Sequence, residues 1–195
     1  MLIFNTDPTS AIEQTTQISA AINGGCGWIQ LWLSDNDEQN KSVAKSVIDI
    51  CKQHDIILTI ANDVKLVEDT KVHGIFLDQT HTPEAIEIRR QFGPHAIIGI
   101  SSTSADEIKR LYNLADIDYV SIPETHNKYN LQNLLSEMSE KRLTLPVVVS
   151  YSDVPDAEQI NEALSLGVRG IAVSIPGADA GQIEQTIKQT LAILN

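Results

Sequence analysis

The chain has 195 residues, 42% hydrophobic and 21% charged, a balance that fits a globular protein and excludes a disordered or collagen-like one. Fourteen Lys and Arg against 26 Asp and Glu give a formal net charge of -12, which excludes a general binder of nucleic-acid backbone or anionic membrane and requires any anionic ligand to be held by local groups. No stretch reaches the roughly 18 apolar residues of a spanning helix, and Met1 to Asn5 has neither the basic region nor the apolar length of a secretory signal. Cys26 and Cys51 are too few for a disulfide framework and lack metal-knuckle spacing, so a cytoplasmic protein with two reduced thiols is expected, with no nucleic-acid or membrane partner.

In chain order, the first run rich in branched aliphatics is Leu2-Ile3-Phe4, followed by an amphipathic segment that stops at Gly24-Gly25. Ile29-Gln30-Leu31-Trp32-Leu33 comes next, then a helical stripe through Val43, Val47, Ile48 and Cys51. Ile56 to Ile60 and Gly74 to Leu77 form the third and fourth runs, and Thr82-Pro83-Glu84-Ala85 marks a helix start whose stop is Gly93. Ala96 to Ile100 is followed by a second start at Ser104-Ala105-Asp106-Glu107, and Asp118 to Ile122 by a further helical segment. Pro146 to Val149 precedes the start at Pro155-Asp156-Ala157-Glu158, a stripe through Ile160, Ala163 and Leu164, and a stop at Gly167. Gly170 to Ser174 is the last run.

Near-continuous apolarity over four to six residues is what strands covered on both faces require, and strict alternation with helices indicates parallel strand-helix units. Eight such units, about 24 residues apart with no Pro/Gly/Ser linker, predict a single TIM-barrel domain over residues 1–195, with an open doubly wound sheet as the alternative. In a barrel the chemistry sits on the loops after the strands. Those loops are Thr6-Asp7, Trp32 to Asp35, Ala61 to Lys65, Asp78 to His81, Ser101-Ser102, Pro123 to Tyr129, Ser150 to Asp153, and Ser174 to Ala178. Lys65 and Lys128 are the only cations in them, so a highly charged anion finds few counter-charges there.

The run from Gly167 to Gly177 ends a helix, makes a strand and delivers small residues toward the final helix. That arrangement suits phosphate, with backbone N–H donors around Val173, Ser174, Ile175 and Gly177. Ser150 and Ser152 add hydroxyl donors, and Asp153 is expected to cap the next helix rather than repel the ligand. Trp32, Phe76, Tyr129 and Tyr151 fall near the mouth in a chain only 5% aromatic, where they either line a pocket for a heterocycle or close the barrel as packing. His81 and His126 are the acid-base candidates of the mouth, and Asp63 with Asp78 would form an oxygen pair suited to Mg2+.

The order of these pieces resembles the thiamine phosphate synthase family and its thiazole tautomerase branch over essentially the whole chain. The matching segments are Thr6-Asp7, Gly24-Gly25 with Ile29-Gln30-Leu31, Ala61-Asn62-Asp63, Gly74 to Gln79, Ile98-Gly99-Ile100-Ser101, Asp118-Tyr119-Val120 with Thr125 to Lys128, and the Gly-x-x-Gly-Ile-Ala-Val-Ser ending. The resemblance implies a reaction in which hydroxymethylpyrimidine diphosphate loses magnesium-bound diphosphate and the thiazole phosphate nitrogen captures the carbocation. It also implies that Lys128, Ser101 and Asn62 act in catalysis, that Gln30, Thr125 and Asn127 contact the substrates, and that small-molecule heterocycles and phosphate esters are the partners; barrels of this size commonly associate through their outer helices, so a homodimer is expected as well.

Several family positions differ. The Arg and Lys after the second strand correspond to Trp32 and Ser34, the His of the fourth strand to Phe76, and a carboxylate after Gln79 to His81. In the third-strand motif, a gapless alignment puts Asn62 where the family has Asp, while a one-residue shift keeps Asn62-Asp63 and loses only the Arg, as Val64. Losing bidentate cationic donors removes charge-assisted hydrogen bonds worth about 1.5–3 kcal/mol each. Three readings follow: a thiamine phosphate synthase with a weakened diphosphate and magnesium site, a thiazole tautomerase-like isomerase, or a non-catalytic barrel that binds a heterocycle or phosphate.

Overall fold

Eight parallel strands close on themselves in the order β1 to β8, with β1 hydrogen-bonded to β8, so the open-sheet alternative is excluded and the fold is a TIM barrel. The computed structural model describes residues 1–34, 37–124 and 128–195, with side chains described except at 37–39 and 128–129. The strands are β1 Leu2–Asn5, β2 Trp28–Leu31, β3 Ile57–Ala61, β4 Gly74–Leu77, β5 Ile97–Ser101, β6 Tyr119–Pro123, β7 Val147–Tyr151 and β8 Gly170–Val173. Between and after them run α1 Gln14–Asn23, α2 Asp37–Gln53, α3 Val64–Thr70, α4 Ala85–Phe92, α5 Ala105–Ala115, α6 Lys128–Glu140, α7 Ala157–Ser165 and α8 Ala180–Leu194. A 3-10 turn, Thr82–Glu84, leads into α4.

Each expected strand is present, with shifts of one or two residues at the ends. Two ends move by two residues: β2 stops at Leu31 rather than Leu33, and β7 runs on to Tyr151 rather than Val149. The Thr6 hydroxyl accepts from the Trp32 amide at 3.0 Å and donates to its carbonyl at 3.3 Å, replacing a ladder partner with a side chain. Helix starts follow the capping residues. Ser104 accepts from the Glu107 amide at the head of α5, and Asp156 with Gln159 forms a full capping box at α7. Asp153, expected to cap α7, lies too early: its carboxylate takes the neighbouring Val154 amide, and Asp156 holds the cap.

Period-two alternation divides the interior into two layers. Phe4, Ile29, Leu31, Ile60, Ile75, Ile98, Val120, Val149 and Ile171 face outward into the large core between strands and helices. Ile3, Ala61, Phe76, Tyr119, Val148 and Ala172 fill the barrel itself, flanked by Trp28, Trp32 and Ile97. Four aromatic rings run through that inner space. Trp28 meets Tyr119 edge-on at 5.4 Å, Tyr119 stacks on Phe76 at 6.2 Å, and Phe76 lies 5.8 Å from Trp32. The barrel interior is a packed plug beneath its mouth, filled by these rings and their aliphatic neighbours.

Candidate functional site

A cleft of about 500 Å³ opens at the C-terminal ends of the strands. Asn5, Thr6, Asp7 and Pro8 reach it from β1, Trp32 and Leu33 from β2, and Pro123 and Glu124 from β6. Ser150 and Ser152 come from β7, and Ser174 and Pro176 from β8. The β1 loop is tied down by two glutamines of α1. Gln14 Nε2 donates to the Thr6 hydroxyl at 2.8 Å and to the Trp32 carbonyl at 2.6 Å. Gln17, buried, accepts from the Asp7 amide at 2.9 Å and donates to its carbonyl at 2.8 Å. On the far side Ser152 donates to Glu124, and the Glu124 amide donates to the Ser150 carbonyl at 2.9 Å. Among the described residues the cleft is lined by two carboxylates, Asp7 and Glu124, and by no Lys or Arg.

At the edge of this cleft one group stands out chemically. Asn5 is only 6% exposed, and its Oδ1 is the sole buried side-chain polar atom without a hydrogen-bond partner among the described residues. Sequence reasoning passed over Asn5 because it closes an otherwise apolar strand. The available signal was its place two residues after Ile3, on the inward face.

Of the sequence candidates, Trp32, Ser150, Ser152 and Ser174 do line the cleft. Phe76 does not line it but packs inside the barrel, its ring 5.8 Å from that of Trp32. Gln30 lies lower, 3% exposed, where its Oε1 accepts from the Tyr119 hydroxyl at 3.0 Å. Burial pushes that phenol's pKa far up, so it stays a donor at neutral pH. Ser101 ends β5 in register with Ser121 and is not part of the cleft lining. Tyr151 does not face the mouth, contrary to expectation: its ring is buried in the outer core and its hydroxyl donates to the Gln159 carbonyl of α7. Thr125, His126 and Asn127 lie outside the described residues, as do the side chains of Lys128 and Tyr129.

The last-strand loop differs from the expected phosphate grip in three respects. Val173 is fully buried in the outer core, by alternation on the face away from the mouth. The Ser174 amide is committed to the Tyr151 carbonyl at 3.1 Å, so only its hydroxyl remains for a ligand. Asp179 caps α8 with a full capping box to Gln182, which sets a carboxylate on the helix N-terminus where a phosphate would sit. The amides of Ile175 and Gly177 remain as donors in the turn, and Gly177 holds φ at +71°.

Asp63 and Asp78, paired in the sequence reading as metal ligands, are engaged separately. Asp63 caps α3 by accepting from the Leu66 amide at 2.9 Å and lines a crevice of about 100 Å³ beside Asn40, Lys41 and Asp69. Asp78 belongs to a local network across β3 and β4: its amide donates to Asn62 Oδ1 at 2.9 Å, and Asn62 Nδ2 returns a bond to Oδ2 at 2.8 Å. Its Oδ1 accepts from the Thr80 and His81 amides and meets His81 Nδ1 at 2.8 Å. Burial raises the Asp78 pKa, but the His81 side chain and the two amides outweigh it and the net shift is downward. Asn62 adopts a left-handed backbone, φ 60°, to make this pair. Among the described residues no group of three or more His, Cys, Asp or Glu is placed to hold a metal ion. Burial also pushes Cys26 up to about 11 and Cys51 to about 12, so both thiols stay protonated.

With this geometry in view, the comparisons with known proteins are direct. A family model described as thiamine monophosphate synthase matches residues 1–176. The chain belongs to the thiamine monophosphate synthase family. A thiamine-phosphate synthase of Bacteroides fragilis is 31% identical over 207 aligned residues, covering 100% of this chain and 98% of the relative. One from Bacteroides thetaiotaomicron is 30% identical over 89% of this chain and 87% of its own length. Among solved structures, a thiamine phosphate pyrophosphorylase of Pyrococcus furiosus superposes with a TM-score of 0.79 at 19% identity, covering 100% of this chain and 96% of that one, a likeness of fold. The thiamine monophosphate synthase family typically uses Mg2+. Asp63 and Asp78, one a helix cap and the other saturated by Asn62, His81 and two amides, do not fit such an ion between them. No helix among the described residues is long and apolar enough to cross a membrane.

Proposed function

We propose that the mouth of this barrel binds the ring substrates of the thiamine monophosphate synthase reaction, a hydroxymethylpyrimidine and a thiazole phosphate, and holds the pyrimidine diphosphate weakly. Transfer at this site is then slow. In the family reaction the C–O bond to the diphosphate breaks heterolytically, and the thiazole nitrogen donates its electron pair to the carbocation. The departing diphosphate accumulates charge and needs cationic donors. The observation that carries the reading is the lining of the cleft, Asp7 and Glu124 with no Lys or Arg among the described residues.

Trp32 stands where the family carries a cation, and it supplies a flat apolar face suited to stacking a heterocycle. For a monophosphate the proposed donors are the Ser150 and Ser174 hydroxyls and the Ile175 and Gly177 amides, with Ser152 after it leaves Glu124. Lys128 is the proposed cation for the leaving group, and Ser101, Thr125, Asn127 and Gln30 are proposed to complete the substrate contacts. The test is a double variant, Trp32→Arg with Ser34→Lys. It is expected to tighten diphosphate binding by about 1–3 kcal/mol, the scale of charge-assisted hydrogen bonds. Turnover by the unmodified protein at about 1 s⁻¹ or faster, an ordinary enzyme rate, would contradict the reading.

A further inference from the structure

Opposite the mouth, where the strands begin, a hollow of about 690 Å³ lies between the end of α6 and the starts of β7 and β8. Two of the chain's five arginines, Arg142 and Arg169, line it, and so do both of its methionines, Met1 and Met138. Leu143 and Leu145 extend the apolar wall. Met1 is 41% exposed, one of three large apolar side chains left exposed among the described residues, so bare apolar surface lies beside the charge. No Asp or Glu lines the hollow, and among the described residues neither guanidinium has a hydrogen-bond or ion-pair partner. Arg89 and Arg90, by contrast, are paired with Asp118 and Glu87. In a chain of charge -12 this hollow is a local reversal of the field. Arg142 also holds a left-handed backbone, φ 59°, to close α6: its amide donates to the Ser139 carbonyl and the Leu143 amide to that of Met138, both at 2.9 Å. After α7 the same turn is made by Gly167, φ 98°. Glycine takes that conformation without steric cost and arginine does not, so the fold bears some strain to keep a guanidinium at this place.

We propose that this hollow binds a small amphiphilic anion, its apolar body seated on the methionines and leucines and its carboxylate or phosphate head held by Arg142 and Arg169. The planar guanidinium fork matches either head, and the flexible thioether of methionine moulds itself to varied apolar bodies. The volume falls in the range of about 300–1,000 Å³ that ligand pockets span. Charge selects this pole over the other, because the mouth cleft is lined by Asp7 and Glu124 and the hollow by arginines alone among charged side chains. Lying at the strand starts, it is a binding site and not a catalytic one, and it stands independently of the reading of the mouth.

The experiment is calorimetric titration of the full chain with octanoate, octyl phosphate and uncharged octanol at low ionic strength. At least one of the two anions should bind with one molecule per chain, at least about tenfold more tightly than octanol, and should weaken as salt is added. Arg142→Gly removes the guanidinium and supplies the residue the turn favours, so it should hold or raise the melting temperature while weakening the anion at least about tenfold. Arg169→Gln, a change on an exposed side chain, should weaken it to a similar degree and serves as the test if the glycine variant does not fold. Failure of both anions to bind, binding no tighter than that of octanol, or an affinity unchanged in the variants overturns the proposal. So does light scattering that shows a dimer of the unmodified protein dispersed by Arg169→Gln, since a second copy would then occupy the hollow.

Discussion

A Cβ added to Gly99 would stand 2.1 Å from Cζ of Tyr119, whose ring lies across the strand inside the barrel. No rotamer change relieves this, because Trp28 and Phe76 hold the tyrosine from both sides and Gln30 holds its hydroxyl. Gly99→Ala should therefore cost about 1–3 kcal/mol in denaturant unfolding, the usual penalty of overpacking a core. Tyr119→Phe keeps the shape but strips the buried Gln30 oxygen of its donor, a loss of about 1–3 kcal/mol. The Asp78 network gives a pH test. A carboxylate whose folded pKa lies below the unfolded value near 3.9 contributes stability that is complete above that value and is lost as pH falls through the folded pKa. The stability gap between the protein and Asp78→Asn should thus be steady above about pH 4 and shrink below it, measured by thermal unfolding across pH.

Between elements, single charged side chains do the joining. Glu107 of α5 accepts from Ser102 at 2.6 Å and from Thr82 at 3.0 Å, both donors fully buried, and so ties the 3-10 turn before α4 to the head of α5. Glu107→Ala should destabilise by about 1–3 kcal/mol, because the buried Ser102 hydroxyl loses its acceptor and Thr82 keeps only its longer bond, 3.3 Å, to the Gln79 carbonyl. At the opposite end of the barrel, Arg89 of α4 donates to the carbonyls of Gly93, Ala96, Ala115 and Asp116 and to the Asp118 carboxylate. That fork cannot be reproduced by a lysine, which has one nitrogen to place. The order of elements was legible because apolar runs and capping residues are local signals: Ser104, Asp156 and Gly93 sit at helix ends as read. These two joints were not, since Thr82 and Ser102 find Glu107 only once the barrel has closed.

For the molecule as a whole, the alternation of strands and helices was enough to name a closed barrel and to say which end carries the chemistry. It placed Trp32, Ser150, Ser152 and Ser174 at the mouth correctly. It failed where facing direction decides: Val173 and Tyr151 belong to strands that end at the mouth but point outward by one step of alternation. Where a side chain has two roles to choose from, the sequence leaves the choice open, as with Asp63, a metal-ligand candidate that the fold uses as a helix cap. A hollow of about 710 Å³ at the other end, lined by Lys52, Lys71, His73 and His95 beside Asp55 and Glu68, is larger than the mouth, but it gathers starts of strands, where TIM barrels do not carry their chemistry. The mouth itself combines an aromatic face with two carboxylates in a chain of charge -12, and the proposed function expects from this a preference for uncharged rings and monophosphates over a diphosphate. The most direct test is calorimetric binding of the hydroxymethylpyrimidine, its diphosphate and the thiazole phosphate to the unmodified protein, each with and without Mg2+. The account predicts that the free pyrimidine and the thiazole phosphate bind at least about tenfold more tightly than the diphosphate, a difference of roughly one charge-assisted hydrogen bond; a diphosphate that binds most tightly of the three would contradict it.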